Sequence, residues 1–262
     1  MNKSAGILVS TGLLSILFWA LTYRWVFSSV KFQDFGFLIG LIVVFSFLVA
    51  FVGLGLLFLK TYLFKVILIF LSGIPLFFFF DFNPLYILAI TALFWIQIYA
   101  AGVISDEARE RNKINVKVIL RRGAPAIITS LFIMISFAYY LTPQVQAIAK
   151  NKSLPVTFQP LIKQIMINVF RGELENLSSS QKESVSNQAS SEVFRQLNDL
   201  VRPAIQFVPP LLAFALFLLL QSLAVLFVWL AVLFGVIIFK ILKSVEFFTI
   251  SEKAVKMEVI EV

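Results

Sequence analysis

Long apolar runs, separated by short charged segments, limit what this chain can fold into more than any other feature of its sequence. Residues 35–59, for example, contain no charged side chain. A hydrocarbon core of about 30 Å is crossed by about 20 apolar residues of α-helix, so such a run is long enough to span a bilayer. Hydrophobic residues make up 60% of the chain, against roughly 45–50% in soluble domains. The sequence predicts an all-α, polytopic integral membrane protein with about six transmembrane helices.

Five of these spans are expected in a membrane domain over residues 1–142. They cover residues 5–23, 35–59, 62–80, 84–104 and 124–141. The first is interpreted as a retained helix, because bulky residues follow it where a signal peptide would have a small-residue cleavage site. Gly73 and Pro75 predict a bend within the third span. Pro125 is expected in the first turn of the fifth span, where its missing N–H costs nothing.

The last apolar run, residues 203–239, is too long for one upright span. As a straight helix its 37 residues would measure about 55 Å. One interpretation is a single sixth transmembrane helix within residues 203–243, in which residues 211–239 fit the bilayer by tilting or by projecting their cytoplasmic end. The other is a re-entrant hairpin with Gln221 and Ser222 at its tip. The single span is preferred because no glycine or proline marks that tip.

Basic residues near the span ends predict the orientation of the chain. Residues 105–123 hold six basic and three acidic side chains, and two lysines follow each of the second and the last spans. Lysine and arginine concentrate on the cytoplasmic side of membrane proteins, so both termini are expected there, in the plasma membrane. Residues 143–202 then form an extracytoplasmic insert, and residues 244–262 form a cytoplasmic tail.

The insert and the tail carry amphipathic patterns that cannot form a core alone. Apolar residues recur at helical spacing over residues 162–170 and again over 193–204, on either side of a serine-rich segment, 176–191, expected to be a flexible linker. Residues 255–259 alternate with the period of a strand. These segments need a surface, either the lipid bilayer or a membrane or envelope protein partner that binds residues 156–202 or 244–262.

Composition removes most familiar site chemistries. The chain has no cysteine and no histidine, which excludes thiol nucleophiles, histidine bases and the usual zinc sites. The one cluster of carboxylates, Asp106, Glu107 and Glu110, alternates with basic residues and is interpreted as a solvated helical face. We therefore expect no catalytic, cofactor-binding or metal-binding residues. The net charge of +8 is attributed to the membrane orientation, with no nucleic-acid partner expected.

Few polar residues are expected deep in the membrane. Gln97 in the fourth span and Gln221 in the last are the candidate intramembrane polar contacts, as hydrogen-bonding groups between helices or as lining of a solute path. Asp81 lies in the segment DFNP, which is typical of a turn, although a carboxylate there is also a candidate ion or proton site. Gly36 and Gly40 form a GxxxG step and are candidates for close helix packing.

Two functions remain open at this point. The lack of catalytic groups and the unpartnered amphipathic segments favour a non-enzymatic integral membrane scaffold or accessory subunit of a membrane complex. The alternative is a transporter or channel component for an unidentified solute. It is less favoured because no buried charge pair and no internal repeat stands out.

Overall fold

The described part of the chain is entirely helical. The computed structural model describes residues 3–27, 35–80, 82–110, 114–151, 162, 179–201 and 205–248, and no strand occurs within them. Its α-helices are α1 (Lys3–Phe27), α2 (Phe35–Phe58), α3 (Tyr62–Gly73), α4 (Leu85–Arg109), α5 (Val116–Tyr140), α6 (Pro143–Asn151), α7 (Ser179–Val201), α8 (Val208–Ser222) and α9 (Ala224–Ser244). Two 3₁₀ segments are also present. Ile74–Phe78 follows α3, and Ile205–Phe207 precedes α8.

Six helices in the described ranges are long and apolar enough to cross a membrane. They are α1, α2, α4, α5, α9 and the combined segment Ile205–Ser222. The expected all-α polytopic class with about six spans is therefore confirmed. The six segments differ from the expected ones, however, because the third apolar run is a shorter helix and the last run supplies two of the six.

The third apolar run changes its helix type at the predicted bend. Helix α3 ends at Gly73 after 12 residues, and Ile74–Phe78 continue as a 3₁₀ helix with Pro75 near its start. Proline has no N–H and its ring clashes with the carbonyl four residues earlier, so it kinks or interrupts an α-helix. The change from α- to 3₁₀-helix thus lies at the residues where the sequence predicts a bend.

The last apolar run is divided at Leu223, beside the two residues proposed as a hairpin tip. Helix α8 ends at Ser222 and α9 begins at Ala224. Leu223 has φ −87° and ψ −4°, whereas a regular α-helix has ψ near −42°. The helix expected over 211–239 is therefore interrupted at a residue that is neither glycine nor proline, and the choice between one span and a hairpin stays a prediction.

The polar loop predicted over residues 105–123 is mostly helical. Helix α4 runs to Arg109, and α5 begins at Val116, eight residues before the expected start. The side chain of Asn115 accepts a hydrogen bond from the Val118 N–H at 3.4 Å, which caps the first turn of α5. Pro125 consequently lies inside α5 and not in its first turn.

The serine-rich segment is also more ordered than expected. Helix α7 begins at Ser179, so most of the predicted linker is helical. Between residues 187 and 199 its exposed side chains are polar except for Leu197, and Arg195 donates a 2.8 Å hydrogen bond to Glu192. Hydrogen bonds from Arg195 and Gln196 hold the pKa of the Glu192 carboxyl below its usual value. Such spacing of three and four residues stabilises a polar helix that composition alone does not predict.

The chain divides into two compact units. The first comprises residues 1–134 and 221–262, and the second comprises residues 135–220. In the first unit, α2 packs against α9 through a core of Ala50, Leu54, Leu120, Val232 and Ile238. In the second unit, α6 packs against the 3₁₀ segment Ile205–Phe207, and Val145, Ile148 and Ile205 are buried.

Several predicted features lie outside the described residues. They are Asp81, the apolar pattern of the insert beyond residue 162, and the alternating pattern at 255–259.

Candidate functional site

Gln97 is fully buried and joins three helices of the first unit. It projects from α4, and its Nε2 donates a 3.1 Å hydrogen bond to Ser130 Oγ on α5. Its Oε1 accepts from Ser72 Oγ on α3 at 3.3 Å. All three side chains have no solvent exposure. The predicted intramembrane polar residue thus lies in an interhelical hydrogen-bonded contact.

Ser72 extends this contact to a fourth helix. Its backbone oxygen accepts hydrogen bonds from Ser15 Oγ and from Trp19 Nε1 on α1, both at 3.0 Å. In a 3₁₀ register the Ser72 oxygen would accept from residue 75, but Pro75 has no N–H to donate. The side chains of α1 therefore supply the donors that the proline removes. We call the five residues Ser15, Trp19, Ser72, Gln97 and Ser130 the Gln97 contact.

The chemistry of the Gln97 contact is neutral and mostly self-satisfied. Ser72 Oγ and Ser130 Oγ each lie 2.7 Å from a carbonyl of their own helix, Ile69 and Ile127 respectively. Each hydroxyl has one proton, so the carbonyl and the amide of Gln97 compete for the hydroxyl of Ser72. None of the five side chains titrates near neutral pH. The arrangement holds helices together and offers no acid, base or nucleophile with an adjacent activating group.

Gln221, the second candidate, makes a weaker contact. Thr129 Oγ1 on α5 donates to Gln221 Oε1 at 3.3 Å, and the pair is only partly buried. Thr129 precedes Ser130 of the Gln97 contact, so both glutamines contact neighbouring positions on α5. The two residues therefore lie near the same level of the first unit, in separate hydrogen bonds.

The predicted packing glycines are not where helices approach most closely within the chain. Gly36 is exposed, and a Cβ added at Gly40 would have no heavy atom within 4 Å. A Cβ at Gly53 would lie 2.7 Å from Leu120 Cδ2, and one at Gly55 would lie 2.7 Å from Leu68 Cδ2. The later glycines of α2 make the close contacts, because the core lies beside the second half of that helix. Packing through Gly36 and Gly40 stays a prediction.

Glu107 differs from the solvated acid that the sequence suggests. Its side chain is 4% exposed and pairs with Arg122 of α5 at 2.9 Å. The pair joins the last turn of α4 to the first part of α5. A signal was present in the sequence, since Glu107 lies three residues after Ile104 and seven after Ala100, on the helix face that these two fully buried residues mark.

The two ends of the first unit differ in composition. At one end, the ion pair of Glu107 and Arg122 joins the end of α4 to the start of α5. The hydrogen bond between Lys65 and Ser105 joins α3 to α4. The rings of Phe58 and Phe239 stack where α2 meets α9. We call this end the basic end. Its described basic residues are Lys60, Lys65, Arg109, Lys117, Arg121, Arg122, Lys240 and Lys243.

The other end of the first unit is aromatic. Phe80, the last of four consecutive phenylalanines, is 3% exposed. Its ring centroid lies 5.4 Å from that of Tyr23 and 6.4 Å from those of Trp19 and Tyr86. The turn beyond Phe80 follows the predicted chemistry, because Asn83 Oδ1 accepts from the Leu85 N–H at 2.9 Å at the start of α4. Aromatic residues commonly gather at membrane interfaces.

Comparisons with known proteins add no functional assignment. No protein-family model, curated protein or solved structure matches the chain significantly. Among the described residues no group of three or more histidine, cysteine, aspartate or glutamate side chains is placed to hold a metal ion.

Proposed function

We propose that the protein is a non-enzymatic integral membrane scaffold or accessory subunit of a membrane complex. The observation that carries the proposal is α7, a 23-residue polar helix with an incompletely covered apolar stripe. Val193 and Phe194 are half-buried, and Leu197 is 36% exposed. An apolar stripe on a polar helix gains free energy when another surface covers it. A membrane or envelope protein partner that contacts α7 would provide that surface.

The buried polar groups support a structural role for the membrane helices. Gln97 lies between Ser72 and Ser130, and its amide is used in holding α3, α4 and α5 together. Hydrogen bonds of this kind between membrane helices each contribute about 1 kcal/mol to association. A scaffold needs such contacts because its membrane helices must keep a fixed arrangement.

We further propose that the protein lies in the plasma membrane, with the basic end of its first unit facing the cytoplasm. Eight described basic residues lie at that end, whereas Arg24 is the one described basic residue among the helix ends at the aromatic end. The positive-inside bias then directs both termini to the cytoplasm. Residues 143–202, which include α7, are extracytoplasmic in this arrangement.

A component of a transporter is the second candidate. Its support is the interruption at Leu223, two residues after Gln221, because transporter binding sites are commonly formed where membrane helices are discontinuous. A flux measurement in proteoliposomes distinguishes it from the scaffold. Uptake that is lost in Gln221→Leu, in a protein that remains folded, would favour transport.

Affinity purification of the full chain in mild detergent tests the scaffold. We expect a partner in fixed stoichiometry that photo-crosslinks to α7, and we expect Leu197→Glu to remove it. Gln188→Glu is the matched control, since it adds the same carboxylate to an exposed polar position of α7. A protein that purifies alone, or a partner retained equally by both variants, would contradict the proposal.

A further inference from the structure

A half-open groove lies between α3 and α4 near the basic end of the first unit. Its volume is about 250 Å³. Lys65 and Ser105 lie on its walls and are hydrogen bonded, with Lys65 Nζ donating to Ser105 Oγ at 3.0 Å. Tyr62 of α3 also lines the groove. We call this feature the Lys65 groove.

The charge in the groove is uncompensated by an acid of the described chain. Lys65 is half-buried, and no carboxylate among the described residues lies within 4 Å of its ammonium. The charged neighbour that acts on it most is another cation, Arg109 of α4. The nearby acid Glu107 is already paired with Arg122. Two cations that form no ion pair with a described carboxylate attract an anion, and partial burial strengthens that attraction.

The rest of the groove is apolar. Val66 and Ile69 line it from α3, and Ile98 lines it from α4. Gly102 leaves the α4 side open, because a Cβ there would meet no heavy atom within 4 Å. The groove therefore has a cationic, hydroxyl-bearing part and an apolar part. A phospholipid has the matching pair of groups, because glycerol links its charged phosphate to its apolar acyl chains.

We propose that the Lys65 groove binds an anionic phospholipid, with the phosphate at Lys65 and Ser105 and the start of an acyl chain against Val66, Ile69 and Ile98. Basic pockets between membrane helices are known to bind phosphate-bearing headgroups. The volume is below the roughly 300–1,000 Å³ of a site that encloses a drug-sized ligand. Only part of the lipid is therefore enclosed, and its remaining chain lies along the apolar surface of α3 and α4.

Native mass spectrometry of the delipidated full chain tests this proposal. Phosphatidylglycerol and phosphatidylcholine with identical acyl chains are titrated separately into the detergent solution. We expect phosphatidylglycerol to bind more tightly, and Lys65→Gln to weaken its binding by about fivefold, from the roughly 1 kcal/mol that one basic residue contributes at an anionic membrane surface. Lys65→Arg retains the charge and should restore most of the affinity.

Lys117→Gln is the matched control for charge. Lys117 is exposed at the same end of the unit but does not line the groove. Equal loss of affinity in Lys65→Gln and Lys117→Gln would overturn the proposal, because the lipid would then respond to the general charge. Equal affinity for the two lipids would overturn it as well. Displacement of phosphatidylglycerol by an equal concentration of inorganic phosphate would show that the site binds free phosphate and not a lipid.

A second pair of variants tests the position of the acyl chain without changing the charge of the protein. Gly102→Leu places a side chain in the open groove, and we expect it to weaken phosphatidylglycerol binding while the protein stays folded. Gly40→Leu adds the same side chain at an equally open position on α2, outside the groove. Unchanged binding in Gly102→Leu, with the fold intact, would overturn the proposed position of the lipid.

Discussion

The Gln97 contact and the Lys65 groove both involve helices α3 and α4, yet they are opposite kinds of polar site. Ser72 of α3 meets Gln97 of α4 in a closed, neutral contact. Seven residues earlier on α3, Lys65 meets Ser105 of α4 in a half-open, charged groove. The two sites are about 10 Å apart along α3. Over that distance the helix pair changes from a packed interior to an accessible surface.

The difference follows from what the neighbouring helices supply. At Ser72, α1 and α5 contribute Ser15, Trp19 and Ser130, so the polar groups are covered from several directions. At Lys65, the described hydrogen-bond partner is Ser105 alone, and the described charge that acts on it is the like charge of Arg109. Satisfied polar groups stabilise a fold, whereas an unpaired charge at an open surface is available to a ligand.

The largest expected effect comes from added volume on the packed face of α3. In Gly55→Leu the new side chain would overlap Leu68, which is fully buried on α3 between Lys65 and Ser72. Overpacking of this kind costs up to about 3 kcal/mol. We expect the free energy of unfolding to fall by that amount when unfolding is followed by titration with sodium dodecyl sulfate in mixed micelles.

Gly102→Leu is the corresponding change on the open side. An added Cβ meets no atom of the chain within 4 Å, and leucine favours a helix over glycine, so the effect should lie between zero and a gain of about 1 kcal/mol. If the two leucines destabilised the protein equally, the distinction between a closed face and an open groove would be wrong.

A smaller loss is expected when the amide of the Gln97 contact is removed. In Gln97→Leu the serines keep their bonds to Ile69 and Ile127, so no hydroxyl is stranded and the cost should be about 1 kcal/mol. Gln221→Leu removes a single 3.3 Å hydrogen bond in a partly buried position and should cost about 0.5 kcal/mol. The same mixed-micelle titration measures both.

A double-mutant cycle with Ser130→Ala makes this prediction sharper. Because Gln97 and Ser130 share a hydrogen bond, the double variant should lose less stability than the sum of the two single variants. Strict additivity would mean that the Gln97 amide contributes no coupling to α5, and the contact would then be a consequence of packing.

Much of the membrane architecture could be predicted from local sequence. Length and hydrophobicity identify α1, α2 and α4, since these runs need no partner to be recognised. The bend at Pro75 is also local, because the missing N–H belongs to one residue. The serine-rich start of α7 and the early start of α5 were missed, since polar composition does not distinguish a capped, paired helix from a loop.

The two polar sites depend on contacts between distant parts of the chain. Gln97 could be selected as a polar residue in an apolar run, but its partners Ser72 and Ser130 are 25 and 33 residues away. Glu107 was misjudged because its burial depends on α5. Lys65 was used for orientation alone, and its groove depends on residues of both α3 and α4. Residue type identifies such candidate residues, and tertiary packing determines which of them lie in a closed site.

The smallest effect is expected at the open site when no lipid is present. The charge that Lys65→Gln removes is near the like charge of Arg109, and its described hydrogen-bond partner is the neutral hydroxyl of Ser105. The free energy of unfolding of the delipidated protein should therefore change by no more than about 0.5 kcal/mol. Adding phosphatidylglycerol should then stabilise the wild type more than the variant, because a ligand stabilises the folded state that binds it. A large loss of stability in the lipid-free variant would mean that Lys65 is part of the packed structure. The two sites on α3 and α4 would then belong to one closed interface, and an unpaired charge would no longer support ligand binding in the groove.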